Sequence, residues 1–450
     1  MKNFFNTLSN IWKIEDLRVR IINTLLFLLI YRVGSYVVLP GVVSSALDNQ
    51  KTKEGLLGLL NMFAGGSFSR ASIFALGVMP YISASIVVQL LGIAVPYFAK
   101  LQKEGESGRN KINNWTRGLT VIITALQAIG YVRSQVPANA INPNINMFTF
   151  TLMSVFVLTA GTLFVMWLGE KITDKGIGNG ISLIIMVGII AQLPGAIVGE
   201  FSSRVTGNGG GVLLFIVEML ALVAVVMFTI LVVQGTRKIA VQYAKRIIGN
   251  KQYGGVRQYI PLKVNAAGVM PIIFAQALMF IPATVSSFAP SLASNSVMIA
   301  LSNYTSWPHN LVFAILIILF TYFYTAITVN PRQMSEDMKK NNGFIPGVKP
   351  GDATTSYIDD VISRITLPGS IFLAIIAIIP ALANLAHVNS TFARFFGGTS
   401  LIILVGVVLD TLQQIESHLL MRHYDGLMKT GRIKGRTAIP TAAGTVPPAL

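Results

Sequence analysis

The stretch that decides the fold spans residues 55–96 and reads GLLGLLNMFAGGSFSRASIFALGVMPYISASIVVQLLGIAVP. A short apolar run, 55–64, is separated from a long apolar run, 71–95, by the glycine-rich and polar residues 65–70. Only the long run can span a membrane, because a helix needs roughly 20 apolar residues to cross a bilayer. A half-length apolar helix must lie within protein or in a water-filled cavity, since lipid cannot satisfy its free backbone ends. The sequence therefore predicts a cavity that contains a short apolar helix.

The composition is that of a polytopic membrane protein. Of 450 residues, 53% are hydrophobic and 12% are charged, and the mean hydropathy is +0.63. A soluble domain carries about 25% charged residues. The pattern predicts an all-α protein with ten transmembrane helices, at residues 21–39, 71–95, 116–133, 151–168, 181–198, 212–233, 264–288, 311–329, 365–385 and 400–420.

The distribution of Lys and Arg predicts the orientation. Of the 35 basic residues, 28 lie in alternate flanks that begin with the N-terminus, six lie in the other flanks, and Arg32 lies within the first span. Cytoplasmic loops carry the excess of Lys and Arg. Both termini are therefore expected in the cytoplasm, as an N-terminal arm at 1–20 and a C-terminal tail at 421–450. The end of the tail, 437–450, is rich in Ala, Pro and Thr and is expected to be disordered.

Two basic cytoplasmic loops have features that are not needed merely to orient the protein in the membrane. Loop 237–263 has seven basic residues and no acidic ones. Loop 331–364 is unusually long for a connection, and its tip carries Lys349 between two Pro-Gly turns. Such surfaces can bind acidic partners or RNA phosphates. The alternative is that these charges only orient the protein.

The sequence contains little that indicates catalysis. The absence of cysteine excludes disulfides, thiolate metal sites and thiol catalysis. No P-loop or zinc motif is present, so we predict no catalytic residues, no metal site and no cofactor. Glu218 lies inside an apolar segment, which makes it a candidate functional residue. It could be protonated or could face a partner subunit.

A short repeat suggests two related halves. Gly-Val-Met-Pro occurs at residues 77–80 and again at 268–271, near the start of the second and the seventh predicted span. Spans five apart run in opposite directions, which is typical of an inverted-topology repeat with its functional site between the halves. Two unrelated proline-kinked helices are the alternative.

The middles of the spans are aliphatic. Val78 and Ile82 lie one helical turn apart, as do Ile181 and Ile185. A cavity with an aliphatic waist dewets and blocks ions, and the short helix at 55–64 would act as a stopper. A secondary transporter would need a polar site at the midplane, and an intramembrane enzyme would need converging catalytic groups. These two classes are the rivals of a channel.

Five strings carry a family resemblance: NMFAGGSFSRASIFALGVMPYISASI at 61–86, KEGESGR at 103–109, WLGEKITDKGIGNGIS at 167–182, PLKVN at 261–265 and FGGTS at 396–400. On these strings the chain resembles the SecY family, the channel subunits of bacterial Sec protein translocons. The resemblance extends from the first span to about residue 434. It implies two inverted halves, 21–200 and 201–420, that open like a clamshell.

The resemblance also implies the residues of the channel. The plug would be 55–70, with Gly55, Leu56, Leu57, Leu59, Leu60, Asn61, Met62, Phe63, Gly65, Gly66 and Arg70. The pore ring would be Val78, Ile82, Ile185, Ile273 and Ile403. The lateral gate between the second and seventh spans would include Ser83, Gln89 and Ile281, the last at a position where the family often has an aromatic residue.

The implied function is passive conduction of unfolded polypeptides across the bacterial cytoplasmic membrane, with lateral release of transmembrane segments into lipid. Its partners would be SecE and SecG, the SecA ATPase, the ribosome with its rRNA and proteins, signal peptides, nascent chains and membrane lipids. The docking residues would be Arg237, Lys238, Lys245, Arg246, Lys251, Arg257 and Lys349. The family usually has Arg at the last position, and Lys keeps the charge but lacks the bidentate guanidinium.

Overall fold

The computed structural model describes residues 12, 14–43, 47, 56–206, 211–243, 246–248, 251–253, 257–288, 296–303 and 305–429. The disorder predicted for the tail 437–450 lies outside these residues. So do Gly55, Lys245 and residues 1–11 of the predicted arm. The side chains of Leu56, Leu57, Leu59, Arg246, Lys251 and Ile281 also lie outside the description.

The described chain is mainly helical. In chain order the helices are α1 Glu15–Gly34, α2 Leu56–Phe63, α3 Met79–Ala94, α4 Pro96–Lys103, α5 Glu106–Gln135, α6 Met147–Lys175, α7 Gly180–Thr206, α8 Gly211–Gln234, α9 Met270–Phe288, α10 Ser296–Ser302, α11 Trp307–Thr328, α12 Pro331–Lys340, α13 Asp352–Leu385, α14 Ser390–Ala393 and α15 Gly398–Lys429. The strands are β1 Thr236–Tyr243, β2 Arg246–Ile248, β3 Lys251–Tyr253, β4 Arg257–Lys263 and β5 Gly343–Phe344.

Each of the ten predicted spans overlaps a helix, namely α1, α3, α5, α6, α7, α8, α9, α11, α13 and α15. The helix of the seventh span, α9, begins at Met270 rather than at the predicted residue 264. Within the described residues, six of them are long and apolar enough to cross a membrane on their own: α6, α7, α8, α11, α13 and α15. The bent pair α3 and α4 makes a seventh if it is one span. The protein is thus an all-α, multi-pass membrane protein.

A sharp bend ends α3. The axes of α3 and α4 differ by 101°. Val95 joins them in an extended conformation, with φ −114° and ψ 118°. The ring of Pro96 disfavours a helical conformation in the preceding residue, and Pro96 itself begins α4. The local sequence therefore accounts for the bend.

The second predicted span is wrong at its N-terminal end, because the helix begins at Met79 rather than at residue 71. Residues 71–78 are turns rather than helix, Ala71 has a φ of +46°, and Ser72 forms an isolated antiparallel bridge with Val38. On either side of the bridge, the N–H of Leu39 donates to Ala71 O (2.8 Å) and that of Ile73 donates to Val37 O (2.9 Å). A turn then leads into α3 through Gly77, whose φ is +53°. Apolar content alone could not reveal this, since residues 71–78 are as apolar as a helix.

The two basic loops are folded together rather than irregular. β1 and β4 form an antiparallel hairpin in which Thr236 faces Lys263, and β5 pairs with the other edge of β1. Loop 331–364 contains α12, β5 and the first turns of α13. The hairpin, α12, the residue after β5 and α13 share one apolar core of Ile239, Val241, Leu262, Met338, Ile345 and Ile358. Because α13 begins at Asp352, residues 352–364 of this predicted loop are helical.

Other predicted ends also differ from the structure. The first helix begins at Glu15, inside the predicted arm 1–20, and the last runs to Lys429, inside the predicted tail 421–450. These ends are charged or polar, and hydropathy marks where a helix leaves the apolar region rather than where its hydrogen bonding stops. The membrane helices therefore extend beyond the apolar segments that predicted them.

A substitution at Gly161 tests how residues 71–78 pack against α6. A Cβ at Gly161 in α6 would lie 2.1 Å from Ile73 O. We expect Gly161→Ala to lower the free energy of unfolding by about 1–3 kcal/mol, because the clash must be relieved by moving backbone. The measurement is the midpoint of thermal unfolding of the purified protein in detergent.

The matched control is Gly118→Ala in α5, where a Cβ would meet nothing within 4 Å. Its midpoint should stay the same or rise, since Ala is favoured over Gly in a helix. Equal midpoints for the two variants would contradict the packing of α6 on residues 71–78.

Candidate functional site

Five aliphatic side chains from four parts of the fold belong to one apolar cluster. Val78 precedes α3 and Ile82 lies in it, and the other three are Ile185 of α7, Ile273 of α9 and Ile403 of α15. Val78, Ile185 and Ile403 are buried in one apolar cluster, and Ile82 and Ile273 are half-buried against it. The structure therefore brings together all five residues of the predicted pore ring.

The two copies of Gly-Val-Met-Pro adopt the same local structure. Gly77 and Gly268 both have positive φ, +53° and +65°. Each is followed two residues later by the start of a helix, at Met79 and at Met270. Only glycine adopts this left-handed conformation readily. The glycines thus set the start of α3 and α9, which places Ile82 and Ile273 at matching positions.

A cavity of about 420 Å³ lies between α3 and α9. Its walls include Ile82, Ser83, Ile86 and Leu90 from α3 and Ile273, Phe274, Ala277 and Leu278 from α9. Ile185 and Ile403 of the ring, and Leu60 and Phe63 of α2, also line it. The cavity therefore extends from the ring and the short helix into the space between the two predicted gate helices.

The predicted gate residues are placed differently. Ser83 lines the cavity, and its hydroxyl donates to Met79 O in the preceding turn (3.1 Å). Gln89 donates to the Ser85 hydroxyl (3.3 Å) and is not part of the cavity wall. The side chain of Ile281 lies outside the described residues.

The short helix predicted at 55–64 is confirmed as α2, Leu56–Phe63. Met62 and Phe63 are buried in the same cluster as the ring. Asn61 fixes the turn that follows: its side chain accepts from the N–H of Ser69 (3.0 Å), and its carbonyl accepts from the N–H of Gly66 (2.8 Å) and from Gln192 Nε2 (2.7 Å). Protein groups therefore satisfy these polar atoms at the C-terminal end of α2.

Two arginines converge on the glycine turn after α2. Gly65 and Gly66 have φ of +63° and +86°. The carbonyl of Gly65 accepts from Arg32 Nη1 (2.9 Å) and from Arg70 Nη2 (3.1 Å). The guanidinium of Arg70 also lies over the ring of Tyr36, 4.3 Å from its centroid. Charge-assisted hydrogen bonds of this kind are stronger than neutral ones, so they hold the turn firmly.

The turn also lies directly against the backbone of α7. A Cβ on Gly65 would lie 3.0 Å from Gly188 Cα, and a Cβ on Gly188 would lie 2.5 Å from Phe63 O. Glycine at 188 is thus what allows α2 to sit so close to α7.

Several contacts of α2 and its turn come from residues that the sequence did not indicate. Tyr131 donates to Phe68 O (2.6 Å), and Gln192 reaches Asn61 from α7. Arg394 lies against Gly58, where a Cβ would come within 2.1 Å of its Nη1. The only local signal that could have indicated these residues is a polar side chain inside an apolar segment. Glu218 gives the same signal, so the signal does not single out the contacts of α2. In the structure Glu218 pairs with Arg204 of the same chain.

Four of the seven predicted docking residues lie on the folded basic unit of β1, β4, α12 and the start of α13. Arg237, Lys238 and Arg257 are exposed on the hairpin, and Lys349 is exposed at the tip before α13. Gly347 and Gly351, with φ of +87° and +107°, form the two turns that flank Lys349. Arg246 and Lys251 belong to β2 and β3, the short hairpin within loop 237–263.

A half-length helix in the same apolar cluster as the predicted ring, next to a cavity between α3 and α9, is the arrangement expected of a plugged channel of the protein-conducting class. Across the residues that the structure covers, no group of His, Asp or Glu is arranged to hold a metal ion.

Comparisons with known proteins give the family. The SecY family model matches residues 72–412. The protein translocase subunit SecY of Streptomyces scabiei is 45% identical over 435 residues, which are 93% of this chain and 98% of that protein. The chain therefore belongs to the SecY family of protein translocase subunits, which form protein-conducting channels in membranes.

Solved structures show the same fold at lower identity. A structure described as a protein-conducting channel superposes with a TM-score of 0.62 at 17% identity, covering 89% of this chain and 92% of that one. Sec61 in a canine ribosome-channel complex from the endoplasmic reticulum gives a TM-score of 0.58 at 17% identity, with the same coverages of 89% and 92%.

A substitution at Gly188 tests whether close contact with α7 keeps α2 buried. We expect Gly188→Ala to push α2 away from α7, because its Cβ would meet Phe63 O at 2.5 Å. The chain has no cysteine, so Met62→Cys introduces a single thiol at a position that is 2% exposed. The measurement is the rate at which a water-soluble maleimide labels this thiol, which should rise several fold.

Gly195→Ala in the same helix is the control, since nothing lies within 4 Å of a Cβ there. It should leave the labelling rate unchanged. If Gly188→Ala also leaves it unchanged, the close contact between α2 and α7 is not what buries Met62.

Proposed function

We propose that the chain conducts unfolded polypeptides through the ring of Val78, Ile82, Ile185, Ile273 and Ile403, and that residues 55–70 plug this path at rest. The observation that carries the proposal is one apolar cluster that contains all five side chains together with Met62 and Phe63 of α2. Four of the five, all but Val78, also line a cavity whose wall includes Leu60 and Phe63 of α2. Apolar side chains at a constriction keep water out and thereby block ions. The same side chains offer no hydrogen bonds that would retain a passing polypeptide.

The proposal includes a lateral exit between α3 and α9. Ser83 lies on this path, and Gln89 and Ile281 belong to the same pair of helices. The cavity walls from both helices are mostly apolar. A transmembrane segment that reaches this space gains about 0.8 kcal/mol for each CH₂ group that it moves from water into lipid. Release into the bilayer therefore needs only separation of the two helices.

Partners would supply the energy, because the proposal assigns no catalytic residue and no cofactor to this chain. Arg237, Lys238, Arg257 and Lys349 form an exposed basic surface, and Lys245, Arg246 and Lys251 belong to the same segment. Such a surface suits the phosphates of ribosomal RNA and acidic patches of ribosomal proteins or of the SecA ATPase. Sec61 bound to a ribosome supports the first of these partners.

The setting that we propose is the bacterial cytoplasmic membrane, with both termini in the cytoplasm and the basic unit on the same side. The excess of Lys and Arg in alternate flanks supports this orientation. Companion subunits SecE and SecG would pack on exposed apolar helix faces. Residues 21–200 and 201–420 would act as the two halves of the clamshell.

Ion conductance tests whether α2 and the ring block the passage of ions. We expect deletion of residues 56–63 to turn a silent reconstituted complex into a leaky one, because the stopper is removed. Ile403→Asn should also raise conductance, since a polar side chain hydrates the ring. Conductance is measured in planar bilayers.

The control is Ile315→Asn, at an exposed position of α11 outside the ring. It should not raise conductance. Membranes that stay equally tight after the deletion, while a small solute is taken up along a gradient, would refute the channel and favour a transporter.

Charge reversal tests the docking surface. Lys349→Glu combined with Arg237→Glu should weaken binding to ribosomes at least tenfold, which corresponds to about 1.4 kcal/mol. The loss should shrink as salt is raised, because phosphate contacts are salt-dependent. Binding is measured by co-sedimentation of the purified complex.

Arg133→Glu is the control, because Arg133 is exposed and lies in a flank predicted to face away from the cytoplasm. It should bind like the unaltered protein. Equal loss in both variants would show that only net charge matters.

A further inference from the structure

A buried ionic triad joins α7 and α8. Arg204, in the last turn of α7, donates from Nε to Glu200 Oε1 (2.8 Å) and from Nη2 to Glu218 Oε1 of α8 (2.5 Å). The side chains of these three residues are at most 9% exposed. Burying one positive and two negative charges is costly unless they pair closely with one another. The triad therefore fixes α7 relative to α8, whose connection joins the two proposed halves.

The triad also holds a segment from further along the chain. Arg204 Nη2 donates to His387 O (3.0 Å), and the N–H of Asn389 donates to Glu200 Oε2 (2.9 Å). His387 itself has a positive φ of +59°, which is uncommon for a residue other than glycine. Two hydrogen bonds to ionised groups thus tie the chain after α13 to the end of α7.

This bridging segment, residues 386–397, leads from the triad to the plug. Val388, Phe392 and Phe396 are buried in the cluster that also contains Met62 and Phe63 of α2. Near its end, Arg394 is 4% exposed and lies against Gly58, in the middle of α2. The bridging segment therefore contacts the triad near its start and the plug helix near its end.

We propose that Glu200, Arg204 and Glu218 are positioning residues for the plug. They anchor the bridging segment, and Arg394 of this segment holds α2 beneath the ring. The proposal rests on the proposed function, because it takes α2 to be the plug. It predicts that a disturbance where α7 meets α8 reaches α2 without touching it. Opening of the two halves would then release the plug by the same route.

A local structural role is the alternative. In that case the triad stabilises the α7–α8 hairpin, and its loss lowers thermal stability but leaves α2 in place. The two possibilities differ in the exposure of Met62 and in the ion leak, which a purely local role would not change.

The test variant is Arg204→Met with Glu218→Gln, which removes the ion pairs but keeps the formal charge of the triad at −1. The matched control is Arg117→Met with Glu170→Gln, which breaks the ion pair between α5 and α6 (2.7 Å) and likewise keeps the local charge. Each is reconstituted with its companion subunits. Conductance and maleimide labelling of Met62→Cys are measured beside the complex that lacks residues 56–63.

We expect the triad variant to raise both the conductance and the labelling rate several fold, and the control to raise neither. Arg394→Gln alone should have the same effect, because it breaks the far end of the route. Combining the triad variant with Arg394→Gln should add little to the larger single effect, since residues on one route are not additive.

The outcomes distinguish failure of this inference from failure of the proposed function. If deletion of residues 56–63 causes a leak but the triad variant behaves like the control, the inference fails and the proposed function stands. If the deletion causes no leak, the proposed function fails first. If the triad variant does not fold, Arg394→Gln still tests the inference. A channel that stays tight with this substitution would show that the contact between Arg394 and α2 is not needed to hold the plug, and the inference would fail.

Discussion

The interaction on which this structure depends is the hydrogen bonding of a short helix that is buried within the protein. A buried peptide group that lacks a partner is expensive in an apolar medium, and α2 has only eight residues. Its terminal groups are a large share of its backbone. The turn after it is stabilised because Arg32, Arg70 and Gln192 reach its carbonyls. Without such partners an apolar helix of this length would have no stable site in a membrane protein.

Close backbone contact then determines the geometry around α2. Gly188 lets the end of α2 approach α7, and Gly58 leaves room for the guanidinium of Arg394. Gly77 and Gly268 set the first residues of α3 and α9. The ring is therefore a product of glycine positions as much as of aliphatic ones. A larger side chain at Gly188 would meet the backbone of α2, whereas at Gly77 and Gly268 it would be strained by the positive φ.

Residue patterns predicted the spanning helices and the short helix, because length and hydropathy are local properties of a sequence. They missed the non-helical start of the second span, since residues 71–78 are as apolar as a helix and residues 71–73 pair with the distant residues 37–39. The basic hairpin was missed for a similar reason, because its charges conceal the alternation of Ile239 and Val241. The partners of α2 and of Glu218 come from distant parts of the chain. No local pattern in the sequence indicates that Arg204, His387 and Asn389 meet.

The bend at Val95 has a consequence for the surrounding lipid. With 16 residues, α3 is about 24 Å long at 1.5 Å per residue, whereas the hydrocarbon core of a bilayer is about 30 Å thick. Beyond the bend the chain direction changes by 101°, so α4 adds little to the length that α3 covers along its own axis. A bilayer of ordinary thickness therefore has to thin beside α3, or the residues that flank α3 have to extend towards the headgroups.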